Sequence, residues 1–316
     1  MAEFGYALSS EEHPPNDLVR FAQRAEETGF TFAAISDHFH PWVDQQGHAP
    51  FVWSVLGGIA HATSTIKLGT GVTCPTVRIH PAIIAQAAAT VTVMMPGRFF
   101  LGVGTGEALN EHILGDHWPR TPVRQEMLAE AIAVIRQLWE GGYQSWDGAY
   151  YTVEDARIYT LPDELPPIIV AASGPSAATL AAEAGDGIWT VAPEAELVDA
   201  YREAGGSGPR YGQVKVCWAA DEDTAKKTAF EWWPNAGIGG ELSQELALPR
   251  YFQQAAQNVT PDDIAEKVPL GPDPERHIEK IKAFVDAGYD HVYIHQIGPD
   301  QEGFFDFWTR ELAPRL

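Results

Sequence analysis

Phe4-Gly5-Tyr6-Ala7-Leu8-Ser9-Ser10-Glu11-Glu12-His13-Pro14-Pro15 opens the chain with a short apolar run, which reads as a strand, followed at once by a polar turn. The next segment, Pro15 to Thr28, has the apolar spacing of a helix, with proline in its first turn and Gly29 as its stop. An open, doubly wound sheet built for a dinucleotide carries glycines in the turn after its first strand, where backbone must approach pyrophosphate closely. Residues 9–15 hold no glycine. A chain that alternates strand and helix without that turn points instead to a closed barrel.

Working outward, the alternation is sustained. Phe30 to Ser36 reads as a second strand with a helix over Phe51 to Thr63, and Ile66 to Val72 as a third with a helix over Pro81 to Met94, ending before Pro96-Gly97. Arg98 to Val103 is a fourth strand, and Pro122 to Trp139 its long helix. A hairpin follows at about residues 143–160, with Asp147-Gly148 as the expected turn. Pro167 to Ala171, Gly187 to Val191, Val214 to Ala219 and His291 to His295 supply strands five to eight, with helices from Pro175 to Gly185, Glu196 to Glu203, Glu275 to Ala287 and Phe304 to Leu312. Eight such units imply an α/β fold, a (β/α)8 TIM barrel, in one domain spanning 1–316. The stretch at about 221–270 is too long for a simple connection and reads as a helical insertion beside the barrel mouth. Its Trp232, Trp233, Tyr251 and Phe252 are candidates for packing or for a pocket wall.

Lys and Arg total 21 against 43 Asp and Glu, a formal charge of -22. That field disfavours nucleic acid and anionic membrane as partners. No apolar run reaches the roughly 18 residues of a membrane span, and no signal peptide precedes Phe4, so a cytoplasmic location is expected. Cys74 and Cys217 sit far apart in apolar runs and read as reduced core thiols.

Reacting groups in such a barrel stand at the carboxyl ends of its strands. The second strand ends in Ser36-Asp37-His38-Phe39-His40-Pro41-Trp42 and the fourth in Gly102-Val103-Gly104-Thr105-Gly106-Glu107, with Asn110 close behind. These loops share one face, so an imidazole and a carboxylate can meet on one substrate, the first taking a proton and the second giving one. A strand cap at His38 and a helix-end pairing at Glu107 are the structural alternatives. His38, His40 and His48 with Asp37 and Asp44 invite a metal reading, but their spacing fixes no third ligand and no metal is expected. Gly69-Thr70-Gly71-Val72 can press backbone against a flat ring. Ala171-Ala172-Ser173-Gly174-Pro175 hands a strand to a helix and leaves free N–H groups suited to a phosphate.

Taken together, Ser36 to Trp42, Gly47-His48-Ala49-Pro50, His80-Pro81-Ala82-Ile83-Ile84-Ala85-Gln86 and Leu101 to Glu111 resemble the F420-dependent glucose-6-phosphate dehydrogenase family of the luciferase-like superfamily. The likeness runs on through Gly148-Ala149-Tyr150-Tyr151, Gly185-Asp186-Gly187 and Leu312-Ala313-Pro314-Arg315. It implies a luciferase-like barrel, usually a homodimer, that holds coenzyme F420 and passes a hydride from a hydroxylated carbon to C5 of the deazaflavin. By that resemblance His38 is the base, Trp42 and Glu107 steady the intermediate and manage a proton, and Asp37, Thr70, Gly71, Val72, Thr105, Gly106 and Asn110 surround the ring. Gly71-Val72 matches a place where the family has a non-proline cis peptide, and Ala171, Ala172, Ser173, Gly174 and Pro175 match its cofactor phosphate loop.

The substrate side departs from the family pattern. Its two phosphate-binding lysine positions fall near Val191 to Glu194 and Tyr251 to Gln254, which hold no cation. Missing charge-assisted bonds argue for an alcohol or other hydroxylated compound and against glucose 6-phosphate. A sugar phosphate held by Arg78, Arg250 or Arg276 is the near alternative. An FMN-dependent monooxygenase of the same superfamily and a non-catalytic F420-binding protein are the further ones.

Overall fold

The computed structural model describes residues 2–316. In chain order, β1 (Glu3–Leu8) leads to α1 (Pro15–Glu27), β2 (Phe32–Ile35) to α2 (Val52–Ala62), β3 (Lys67–Thr70) to α3 (Pro81–Met94), and β4 (Phe99–Val103) to the short α4 (Ala108–Glu111) and long α5 (Thr121–Trp139). A two-stranded hairpin, β5 (Gln144–Asp147) and β6 (Thr152–Ala156), precedes β7 (Ile168–Ala171) and α6 (Pro175–Ala184), then β8 (Gly187–Thr190) and α7 (Ala195–Glu203). After β9 (Arg210–Val216) come α8 (Glu222–Trp232), α9 (Leu242–Glu245), α10 (Pro249–Ala255) and α11 (Pro261–Ala265). These four are the helical pieces of the expected insertion. α12 (Pro274–Asp286), β10 (His291–Gln296) and α13 (Gln301–Phe307) complete the chain.

Eight strands close in the order β1-β10-β9-β8-β7-β4-β3-β2, all parallel. The expected barrel is therefore present, and its seam lies between the two ends of the chain: Glu3 to Tyr6 of β1 pair with His291 to Ile294 of β10. Helices cover the outside, packing Leu18, Leu56, Ile84, Ile135, Ala178 and Phe284 onto the outward side chains of the strands.

Inside the barrel the inward positions are filled with rings. Phe100, Tyr211 and Trp189 stack in series, with centroids 5.0 and 5.2 Å apart, and Phe32 and Tyr293 meet the stack edge-on or tilted. Rings fit because the positions opposite them are small. A Cβ on Gly5 would stand 2.4 Å from Phe32, and one on Gly69 would stand 2.0 Å from Phe100. This plug closes the barrel below its carboxyl-terminal face and forms the floor of what lies above.

Two local expectations shift. The seventh barrel strand covers Arg210–Val216, beginning four residues before Val214 and ending before Ala219. The hairpin turn spans Gly148 to Tyr151, because Asp147 still pairs with Thr152 and the Gly148 N–H donates to the Tyr151 carbonyl. Among the described residues, no helix is long and apolar enough to cross a membrane.

Candidate active site

A cavity of about 440 Å³ opens above the aromatic plug, at the carboxyl ends of the strands. Its floor includes Ala7, Ala34, Trp189 and Tyr293, and the insertion contributes Trp233, Ser243, Gln244 and Phe252 to its rim. Both strand-end segments singled out by sequence open into it: Asp37, His38 and Trp42 from β2, and Thr105, Gly106, Glu107 and Asn110 from β4.

His38 is held from two sides. Its Nδ1–H donates to the His40 carbonyl at 3.1 Å, which leaves Nε2 with a lone pair. That Nε2 stands 3.4 Å from Glu11 Oε1, on the turn after β1. Glu11 is itself buried and receives the hydroxyls of Ser36 at 2.5 Å and Ser9 at 3.1 Å. Burial alone pushes its carboxyl up, but the positive charge His38 carries once protonated and the Ser36 hydroxyl outweigh that and hold it below the usual carboxylate range. Glu11 thus waits as an anion beside a nitrogen that can take a proton. The Trp42 ring lies 5.0 Å from His38 and is braced edge-on by Phe252 at 5.2 Å.

Asp37 and Asn110 are more engaged with protein than the sequence suggests. Asp37 Oδ1 accepts from Arg78 at 2.9 Å and Oδ2 from Thr73 at 2.8 Å, and Arg78 also reaches Glu111. Arg78 is therefore spent on two carboxylates. Asn110 Oδ1 accepts the backbone N–H groups of Phe39 and His40, while its Nδ2 donates to Glu107 at 3.2 Å. One amide thus ties the His38 loop to Glu107 and sets the two candidate proton carriers in one frame.

Gly71, Val72, Thr105, Gly106, Ala171, Ala172 and Ser173 also line the cavity. The Gly71-Val72 peptide is cis, as the resemblance implied. Thr70 does not line the cavity: it is fully buried, and its hydroxyl donates to the Gly102 carbonyl at 2.7 Å. Gly174 and Pro175 stand just outside, at the start of the ten-residue α6. Beyond Gly174 itself and its two chain neighbours, no heavy atom lies within 4 Å of where its Cβ would be, so backbone at this helix start is open to a ligand.

Among the lining residues that the sequence does not single out are Glu11, Lys215 and His295. Glu11 follows a strand as Asp37 does, and the strand-end rule extends to it. Lys215 carries the signal of a lysine set within the apolar run Val214 to Cys217. The other candidate cations lie elsewhere. Arg276 pairs with Glu222 beside a separate shallow depression, and Arg250 is exposed next to Tyr251. His277 is buried, donating from Nε2 to the Gly271 carbonyl. Of the described residues lining the cavity, Lys215 is the one lysine or arginine.

Residues 1–291 match the family of luciferase-like monooxygenases. The chain is 40% identical to the F420-dependent glucose-6-phosphate dehydrogenase of Microbacterium testaceum, covering 99% of this chain and 97% of that one. It is 39% identical to the enzyme of the same name from Nocardia farcinica, with 99% and 98% covered. Among solved structures it is similar to an F420-dependent secondary alcohol dehydrogenase in complex with an F420-acetone adduct, with TM-score 0.91, 32% identity and coverage of 99% and 98%. The barrel, the strand-end loops and these full-length likenesses agree: the chain belongs to the F420-dependent glucose-6-phosphate dehydrogenase family of the luciferase-like superfamily.

Proposed function

We propose that this protein is an F420-dependent dehydrogenase that oxidises a CH–OH group of a sugar or sugar derivative, with glucose 6-phosphate the first candidate. The observation that carries the reading is His38, its Nδ1–H held by the His40 carbonyl and its Nε2 free to take a proton, in one cavity with Trp42, Glu107 and the glycine-rich strand ends. The names of the relatives support F420 and a hydroxylated substrate, and they favour glucose 6-phosphate over the expectation against it.

The residues present suit the cofactor. Gly71, Val72, Thr105 and Gly106 offer a wall with little side-chain bulk, and Ala171 to Pro175 lead to the open start of α6, fit for a phosphate. Asp37 and Asn110 hold the loops around that wall. When bound, F420 supplies the hydride acceptor. His38 Nε2 takes the hydroxyl proton as the carbonyl forms, and Glu11 stabilises the imidazolium produced 3.4 Å away. Trp42 and Glu107, on the same cavity, would steady the reacting oxygen and manage the proton at the cofactor ring.

A second reading, a neutral secondary alcohol, is favoured by the cavity's charge. Glu11, Asp37, Glu107 and Glu111 line it against the single Lys215. The homodimer is likewise an inference, supported by the exposed Phe51, Ile83 and Met94 around α2 and α3, and light scattering on the purified protein tests it.

The deciding experiment mixes purified protein with oxidised F420 and follows loss of deazaflavin absorbance with glucose 6-phosphate, glucose and 2-propanol. Turnover of the sugar phosphate, with a His38→Ala loss of about 10²- to 10⁴-fold in kcat, is the expected result. Absence of F420 binding overturns the cofactor. Retained FMN with oxygen uptake indicates a monooxygenase, and tight F420 binding without turnover a binding protein.

A further inference from the structure

Lys215 is on β9, pointing into the barrel, and its ammonium has no carboxylate within salt-bridge distance among the described residues. It reaches the Gln213 side-chain oxygen at 3.3 Å and lies 5.4 Å from the Trp233 ring centre. Burial lowers its pKa, against the opposing pull of Glu11 and Glu12, so an amino group here loses hydration and gains one neutral partner, the Gln213 oxygen, and no carboxylate.

Two more polar groups stand beside it, on His295 and Trp233, and a third, on Asn235, lies two residues after Trp233 in the same cavity wall. His295 is the register partner of Lys215 on β10, and Trp233 stands edge-on to His295 at 4.7 Å. His295 Nε2–H donates to Glu12 Oε2 at 2.6 Å, leaving Nδ1 as an acceptor. That Nδ1, Trp233 Nε1–H and Asn235 Oδ1 are buried with no hydrogen-bond partner among the described residues, and all three residues line the same cavity. Buried polar groups are rarely left unpaired, and a cluster of them in a cavity wall marks a place where a ligand completes the bonding.

We infer that Lys215, Trp233, Asn235 and His295 form a polyol subsite, which reads a second hydroxyl of the substrate beyond the carbon that His38 serves. The inference rests on the dehydrogenase reading above. The donor set selects the chemistry. Lys215 and Trp233 can only donate, whereas Asn235 Oδ1 and His295 Nδ1 accept. A carboxylate or phosphate dianion satisfies only the donors and meets Glu11 and Glu12 as like charges. Hydroxyl groups satisfy both kinds, because each gives one hydrogen bond and accepts others. A site built this way discriminates strongly against an analogue that lacks the hydroxyl, since its own buried groups are then left unpaired. The subsite therefore separates a sugar from a simple alcohol, and it reads the ring hydroxyls whether or not the sugar also carries a phosphate.

The test uses the F420-loaded protein with glucose and 2-propanol as probes. Wild type should favour glucose in kcat/KM, and Lys215→Met should lower the ratio of glucose to 2-propanol by about tenfold or more, chiefly through KM. Trp233→Phe keeps a ring in the wall, removes the N–H, and should move the ratio in the same direction should Lys215→Met fail to fold. Calorimetry of glucose binding, with and without F420, provides a readout free of turnover. A ratio unchanged in both variants, a wild-type preference for 2-propanol, or no glucose binding in either state overturns the subsite. Failure to bind F420 instead overturns the cofactor reading and leaves the calorimetric result to decide the subsite.

Discussion

Glu11 shows how one carboxylate can give a neighbouring ring its task. The His40 carbonyl fixes the tautomer of His38, but only Glu11 supplies a negative charge beside the nitrogen that becomes cationic. Glu11→Gln keeps the shape and removes the charge, and should lower kcat by about 10- to 100-fold while F420 affinity, measured by fluorescence quenching, stays near wild type. Glu11→Asp should recover part of the loss; equal kcat in Gln and wild type would remove Glu11 from the mechanism. The strand-end rule brought the segments of His38 and Glu107 into view because they follow β2 and β4, while Trp42 took its role from the family resemblance; all three line the cavity. Glu11 sat in plain view, in a turn read only for its lack of glycine. Asn110 and Asp37 both line the cavity, yet their protein partners Phe39, His40, Arg78 and Thr73 come from separate segments and no local pattern announces them.

Elements were most legible where a chemical stop stands at each end. α3 runs Pro81–Met94, as read, because His80 caps it, proline starts it and Pro96-Gly97 follows. The seventh barrel strand was misplaced because its bounds are set by pairing of Tyr211 to Val216 with His291 to Gln296, some eighty residues away. The hairpin turn was misread for a similar reason: Glu130 of α5 accepts the N–H groups of Ala149, Tyr150 and Tyr151, stabilising a longer turn than Asp147-Gly148 suggests. Glu26 at the end of α1 does the same for the loop entering β3, accepting from Ser64, Thr65 and Ile66. Although burial opposes it, these bonds lower the Glu26 pKa from 4.5 to about 2. Since the folded value lies below the unfolded one, the stabilisation is complete above about pH 4.5 and fades as the pH falls towards about 2. Thermal melts should therefore show a shallower acid loss over that window in Glu26→Gln than in wild type, and a lower Tm for the variant at neutral pH.

At the scale of the whole molecule, a net charge of -22 surrounds a cavity whose own lining is acidic. A phosphorylated sugar must approach against that field, whereas an uncharged one feels none of it. Raising ionic strength from about 0.01 to 0.15 M shortens the Debye length from about 30 to 8 Å. kcat/KM for glucose 6-phosphate should then rise a few-fold while that for glucose or 2-propanol stays flat, which stopped-flow or initial-rate measurement can check. A fall for the phosphate ester would mean that local cations dominate its capture. Barrel closure itself was legible, since eight strand-then-helix units leave few other arrangements. What the sequence did not expose was the ring-filled interior, because Gly5 and Gly69 take their meaning only from Phe32 and Phe100 opposite.

The seam between β1 and β10 has a consequence for how the molecule is made. During synthesis β1 emerges first, but the strand that covers its free edge is not translated until residues 291–296. Until then the nascent sheet carries two uncapped edges, at β1 and β9, each able to recruit a stranger's strand. Chaperone demand should therefore persist until residues 291–296 have been made. A chain stopped at residue 290 should accumulate as aggregate, while one lacking only the terminal Ala313 to Leu316 turn should stay in the supernatant, a contrast that fractionation of expressing cells reads directly.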